Sequence, residues 1–563
     1  MQASFRSIAV VLALFACAGF AAPERIDYTL TPIMRAGALE AVQIDLRFRG
    51  EADGETTLAL PSSWGGQEEL WRGIADLSVV SGATLQPGAT PAARTLTHRA
   101  NARIHVRYRV IQDWEGPPMA QDGNPYRPII QANYFHLIGN AALAAPGNYD
   151  QLLPVRLNVR NLPRGWRLAS DLEHQGTTLG EAAASIIVGG DFRVAQTVDP
   201  NIRIAIRGAQ WRFTDADFAA RVAEIVTAQR RFWGDDSTPF LVTVIELNAP
   251  NSGRLSMGGT GLGDSFAFFA TPNVAPEALP RMLAHEGLHT WIPSRIGGLP
   301  EVEEASGYWF SEGFTDFYAG RILVREGIWG PTEFAADFNR SLREYAVSSA
   351  RTAPNARIVA DFWRNRDMQQ LPYQRGRMLA TLWDVGLRAQ GRDLDDVVHE
   401  MRARAAAGDP LKAPAMFAIV SAHFGIDVSA DIANHAEAGA DIQLPANLLA
   451  PCGRIESRQV APFHRGFDIE ATNANNNIIA GAIPSSPAYA AGLRDGMVLL
   501  RRDSGEIGNG DVELVYIVRD GDVERTIRYM PRGPGMVTQQ QLVLDKDLNG
   551  ARLAQCVALL GGA

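Results

Sequence analysis

Two histidines four residues apart, in Arg281-Met282-Leu283-Ala284-His285-Glu286-Gly287-Leu288-His289-Thr290-Trp291, constrain this chain more than any other feature. On a helix, residues four apart rise about 6 Å and differ by about 40° in direction, so both imidazoles leave one face, one turn apart. That arrangement can chelate a single ion. Zinc accepts His nitrogen at about 2.0–2.1 Å and, in a catalytic site, takes three protein ligands and leaves its fourth position to water. The third ligand is expected from Ser306-Gly307-Tyr308-Trp309-Phe310-Ser311-Glu312-Gly313-Phe314-Thr315-Asp316, which reads as the start of a second helix carrying Glu312. Twenty-two residues lie between His289 and Glu312, enough for the chain to loop through 293–304 and return antiparallel. Asp316, four residues past Glu312, shares its face and is placed to accept the outer N–H of His285. Glu286 points about 100° away from its neighbour His285, which suits a general base rather than a ligand. The competing reading is two surface histidines on an ordinary helix, and the second motif with its own aspartate argues against it. One zinc ion (Zn2+) per chain is therefore expected.

The remaining sequence sorts by period. Residues 1–22 have a signal-peptide layout: Met1, a positive Arg6, an apolar run over 8–20, then Ala21-Ala22-Pro23. The run falls short of the ~20 residues a bilayer core needs, so a mature chain without a transmembrane segment, periplasmic or extracellular, is expected. Cys17 offers lipid anchoring as the alternative, although Phe15 is bulky where such signals prefer a small residue. In an oxidising compartment Cys452 and Cys556 would pair; two buried thiols are the other possibility. A net charge of −9 gives no electrostatic footprint for nucleic acid.

Apolar and polar residues alternate in short runs such as 42–48 and 104–110, which predicts an antiparallel β domain over 23–200. From 201 a strand at 202–207, an amphipathic stretch at 215–232 and a strand at 239–247 predict mixed α and β, and helical periods such as 377–390 dominate from 276 to about 449. A catalytic domain over 201–450 follows. Residues 451–563 return to short strands. Within them, Ser485-Ser486-Pro487-Ala488-Tyr489-Ala490-Ala491-Gly492-Leu493-Arg494-Asp495-Gly496-Met497 resembles a PDZ domain signature. Such domains add an extended peptide to a sheet edge and capture its terminal carboxylate in a backbone nest, here Arg465-Gly466-Phe467-Asp468. A module that only packs against the catalytic unit is the alternative.

The motif His285-Glu286-Gly287-Leu288-His289-Thr290-Trp291, with Glu312-Gly313-Phe314-Thr315 and Pro372-Tyr373-Gln374-Arg375-Gly376, resembles the gluzincin peptidases and, within them, the glycyl aminopeptidase family. The resemblance implies a multidomain α+β chain: an N-terminal antiparallel β domain, a thermolysin-like α/β then mainly helical catalytic domain, and a C-terminal PDZ-like β domain. It implies that Tyr373 donates a hydroxyl to the oxyanion, which a phenol of pKa near 10 can do at neutral pH. It also implies a substrate-binding strand at Gly258-Gly259-Thr260-Gly261-Leu262-Gly263-Asp264-Ser265, with Gly261 against the substrate. Asp264, the nearest carboxylate, is then the candidate partner for a free ammonium group. The expected activity is zinc-dependent release of small N-terminal residues, Gly or Ala, from peptides. A thermolysin-type endopeptidase and a non-catalytic PDZ peptide-binding protein are the rivals.

Overall fold

The computed structural model describes residues 25–120, 124–147, 149–174, 176–235, 238–249, 255–300 and 302–562. The expected leader and Cys17 lie outside the described residues. Among those described, no helix is long and apolar enough to cross a membrane.

Phe240–Glu246 is apolar on both faces of its pleat except for Thr243 and Glu246, the composition of a strand covered from both sides. It lies third in a five-stranded sheet ordered Arg193–Gln196, Ile202–Arg207, Phe240–Glu246, Ser265–Ala270, Met257–Gly261. The inner pairs are parallel and the outer pairs antiparallel. Ile204, Val242, Val244, Phe266 and Phe268 face the helices Asp215–Trp233 and Leu279–Leu288, and Leu241, Ile245, Ala267 and Phe269 face the other way. Period two thus sends alternate side chains into two separate cores.

The second core is shared with the N-terminal region. Ile138 and Val188, from the paired strands Tyr134–Ile138 and Ile186–Gly190, pack into it. Beyond them, a five-stranded and a four-stranded sheet enclose Ile44, Leu46, Leu58, Leu96, Val106 and Tyr108. The alternation at 104–110 corresponds to Arg103–Val110, whose residues alternate between buried and partly exposed after the first. The expected boundary at 200 falls inside the catalytic sheet, because Arg193–Gln196 is already its first strand. The turn residues before Ile202 read as a domain edge in sequence and are a hairpin in space.

The helical half is built on the crossing of Tyr308–Arg325 with Arg366–Arg388. The latter starts well before the expected 377: Asn365 caps it, accepting the Met368 N–H at 3.1 Å, and Pro372 sits inside it. Proline removes one helical donor and reads as a breaker, yet here the helix continues, its Leu371, Met378 and Trp383 fully buried. The two helices meet backbone to backbone. A Cβ added at Gly376 would lie 1.8 Å from the Trp309 carbonyl oxygen and 2.7 Å from the Gly313 Cα.

The C-terminal part divides differently from the sequence expectation of one unit over 451–563. Strands Gly453–Val460 and Val537–Leu544 pair with each other, and Cys452, Ile455, Leu542, Cys556 and Leu560 belong to the core that also holds Leu283, Phe314 and Leu379. Cys452 and Cys556 form a disulfide across 104 residues. A smaller core of Phe467, Ile479, Leu493, Met497, Leu514 and Val518 lies between the two strands, with the three-stranded sheet Val498–Ser504, Leu514–Asp520, Val523–Tyr529. After the expected nest the chain forms the helix Ile469–Ala474, capped by Asp468, rather than a strand. The peptide-accepting edge expected there is therefore missing from the described residues.

Replacing a helix-interior glycine by alanine ordinarily stabilises by up to about 1 kcal/mol. Gly376→Ala is expected to do the reverse, by about 1–3 kcal/mol, because the new methyl meets backbone that cannot rotate away. The urea midpoint measures it.

Candidate active site

The helix Leu279–Leu288 is anchored by Gln229, whose Nε2 donates to the Ala284 carbonyl at 2.7 Å. Its C-terminal end places His285 and His289 with ring centroids 4.8 Å apart. Each ring is oriented by its outer nitrogen. His285 Nδ1 lies 2.6 Å from Asp316 Oδ1, and His289 Nδ1 lies 3.0 Å from the Ile292 carbonyl oxygen. A carboxylate and a carbonyl only accept, so both Nδ1 atoms carry hydrogen and, in the neutral rings, both Nε2 atoms carry lone pairs.

Those lone pairs face each other. The Nε2 atoms are 3.2 Å apart, and Glu312 Oε2 is 3.3 Å from one and 3.5 Å from the other. Glu312 Oε2 is buried with no hydrogen-bond donor. Three acceptors at such separations repel unless a cation or a proton sits among them. Two imidazole nitrogens and one carboxylate oxygen are also the donor set zinc takes in a hydrolytic site, so the residues present fit the ion. Among the described residues this is the one group of three ligating side chains brought together.

The electrostatics agree. Burial pushes the His285 imidazolium down, but the hydrogen bond to Asp316 and the neighbouring Glu312 carboxylate outweigh it and raise its pKa to about 10. Burial pushes Glu312 up, but the two histidines hold it well below the usual carboxylate range. Glu286 moves the other way: burial raises it above an ordinary glutamate despite the pull of His285 and His289. Tyr373 stacks 5.7 Å from His285 by ring centroids. Burial, and the negative charges of Glu312 and Glu286, raise its hydroxyl well above an ordinary phenol. It stays protonated at neutral pH.

The edge strand Met257–Gly261 lies across the histidine helix, and two of its glycines make that approach possible. A Cβ at Gly259 would stand 2.8 Å from Glu286 Cγ, and one at Gly261 2.3 Å from His289 Cβ. The Gly261 N–H also bonds to Glu286. Tyr126, from the N-terminal domain, donates its hydroxyl to the Gly259 carbonyl at 2.9 Å.

Six expected residues, His285, Glu286, His289, Glu312, Tyr373 and Gly261, line one cavity of about 780 Å³, with Asp316 behind His285. Asp264 does not join them. It sits in the turn between the edge strand and Ser265–Ala270, where both carboxylate oxygens lie 2.8 Å from Arg295. Among the described residues, the carboxylates that do line the cavity are Glu68, Glu303 and Glu304, in addition to Glu286 and Glu312, and no arginine or lysine lines it. Glu304 lies in the short turn Glu304–Gly307 that leads into the Glu312 helix, eight residues before Glu312. Tyr126 and Glu68 carry no local signal in the sequence, since they arrive by domain packing.

This arrangement of domains is similar to that of an aminopeptidase N family protein from Idiomarina loihiensis, with 16% identity, a TM-score of 0.65, and 94% of this chain and 100% of that chain covered. The chain is a peptidase: the segment bearing the histidines and Glu312 matches a peptidase family model. That family is the M61 glycyl aminopeptidase, matched over residues 279–371. More distant likenesses include an M1 zinc metallopeptidase from Deinococcus radiodurans, at 15% identity and TM-score 0.48 over 75% of this chain and 95% of that one. Native leukotriene A4 hydrolase from Saccharomyces cerevisiae has 14% identity and TM-score 0.47 over 76% and 70%. No curated protein sequence matches the chain.

Gly261→Ala is expected to fold and to lose most of its activity, because relief of the clash must displace His289 or the Glu286 backbone. Peptidase assay beside circular dichroism checks this; full activity would mean that the strand does not press on the helix.

Proposed function

We propose that the chain is a zinc-dependent aminopeptidase in which His285, His289 and Glu312 hold one zinc ion, Glu286 is the general base and Tyr373 stabilises the oxyanion. The observation that carries this reading is the convergence of three unshared lone pairs on one point beside a buried glutamate. A zinc ion held there supplies Lewis acidity and lowers the pKa of a water molecule to about 7. Glu286 takes the proton of the attacking water and hands it to the leaving amine; its raised pKa suits both transfers. The Tyr373 hydroxyl, still protonated, donates to the oxygen of the scissile carbonyl as charge develops on it. Asp316 keeps His285 in the tautomer that presents Nε2.

The aminopeptidase rather than endopeptidase reading is supported by the charge of the cavity. Among the described residues Glu68, Glu303 and Glu304 have no basic partner, so the cavity that receives the substrate can receive a free ammonium group with them. Partial burial and the nearby Glu312 push the Glu304 carboxyl up. We assign Glu304 the part earlier expected of Asp264. A preference for N-terminal Gly or Ala is proposed on the strength of the family resemblance. Export is supported by the disulfide, which persists in an oxidising compartment. The small C-terminal module is proposed to be PDZ-like in its motif, with peptide capture by strand addition disfavoured by the helix after Asp468.

Glu286→Gln is expected to keep stoichiometric zinc and to lose about 10²–10⁴-fold in kcat. Wild-type turnover in that variant would remove the base. Glu304→Gln is expected to raise KM for unblocked Gly and Ala dipeptide amides by up to about fivefold, the scale of a solvent-screened ion pair. Hydrolysis of the N-acetylated amides at equal rates would instead favour the endopeptidase, and stoichiometric zinc with no hydrolysis of either a binding protein.

A further inference from the structure

The site residues stand on three helices, and each helix carries a charged residue one turn from its site residue. Arg281 is four residues before His285, Asp316 four after Glu312, and Arg377 four after Tyr373. These three charges lie side by side as a second layer beneath the first. Arg281 pairs with Asp316, and Asp316 holds His285. Arg281 Nε is also 3.4 Å from Asp337 Oδ2, and Arg377 Nη1 is 2.7 Å from the same oxygen.

Asp337 belongs to a fourth helix, Pro331–Val347, which carries no site residue. It is buried, as are Asp316 and Arg377. Arg340 closes its other oxygen, and Ser341 Oγ accepts from Arg377 at 3.0 Å. Phe334 and Phe338 stack beneath the Arg377 guanidinium at 5.9 and 5.4 Å. The layer is sealed on that side by apolar surface, where attraction between charges is strong and a lost partner leaves a charge exposed to low dielectric.

We infer that Asp337 is a positioning residue: through Arg281 and Arg377 it fixes the register of the His285 and Tyr373 helices on the Glu312 helix, so that the ligands and the phenol meet at one point. One carboxylate is shared by two guanidiniums from two site-bearing helices. Neither helix can slide or rotate without breaking its hold on Asp337 or, through Arg281, on Asp316. This rests on the zinc reading proposed above and extends it to residues that touch neither metal nor substrate.

The test compares wild type with Asp337→Asn, which keeps shape and removes charge. Asp384→Asn is the control: Asp384 is equally buried and pairs with Arg321 at 2.9 Å, joining the Glu312 and Tyr373 helices away from the site. Zinc affinity is read by competition with a chromogenic chelator, alongside kcat, KM and the urea midpoint. Asp337→Asn is expected to weaken zinc binding by about 10-fold or more and to lower kcat with KM little changed. Asp384→Asn is expected to lower the midpoint while leaving the zinc Kd unchanged. Should Asp337→Asn fail to fold, Arg281→Lys decides, since an ammonium cannot span Asp316 and Asp337 as the guanidinium fork does. Equal zinc Kd and kcat in wild type and the decisive variant, with only the midpoint shifted, overturns the inference. A wild type that binds no zinc overturns the zinc reading instead.

Discussion

Three electron-pair donors held within 3.5 Å of one another repel, and the rest of the molecule is arranged to keep them there. No single contact does this. Asp316 and the Ile292 carbonyl fix the two rings by their outer nitrogens, Gln229 fixes the helix that bears them, and the Gly313–Gly376 crossing brings Glu312 and Tyr373 within one helix diameter. The glycines matter because the distance between the helix axes sets how far the two side chains must reach. A wider crossing would carry Tyr373 away from His285 even if every hydrogen bond around the histidines survived.

The same demand explains why the catalytic sheet has two covered faces. One face supports the histidine helix, and the other is covered by the N-terminal sheet, so the strands between cannot flex toward solvent. The N-terminal domain thereby gains a route to the site. Tyr126 reaches the edge strand at Gly259, and the loop at 63–68 lines the cavity together with Tyr308, Phe362 and Trp363. This edge strand lines the cavity through residues 259–261, with the Gly259 carbonyl taken by Tyr126 and the Gly261 N–H by Glu286.

What was legible in the sequence was what is local. His285, His289, Glu312 and Asp316 are tied by helical spacing, and a period of four residues survives any packing of the helices. The alternating runs of the N-terminal domain were legible for the same reason. Tyr373 rests on the family resemblance, and its helix begins before the expected 377 because burial on both sides carries it through Pro372, which lacks a helical donor. Asp264 is near the motif only along the chain; in space it pairs with Arg295, and the turn carries it away from the cavity. The C-terminal stretch looked like one unit because strands and turns recur through it. Which strands join which core depends on pairing between Gly453–Val460 and Val537–Leu544, a contact across about 80 residues that no local pattern encodes.

That pairing gives the C-terminal module its place. A domain inserted into a hairpin is held at both ends, unlike one on a linker, so its position follows whatever the hairpin rests on. Here the hairpin rests on the helix Pro331–Val347: Asn339 accepts the Leu542 N–H at 2.6 Å and donates to the Leu542 carbonyl at 2.9 Å, and Arg343 pairs with Glu506 of the module. Asp337, on that helix, faces the charge layer beneath the site. One rigid element therefore separates the module from the active site, with polar contacts on one side and buried ion pairs on the other. The disulfide, tying the base of the hairpin to the last helix, then holds the hairpin to the body rather than stiffening the module, whose own core contains neither cysteine.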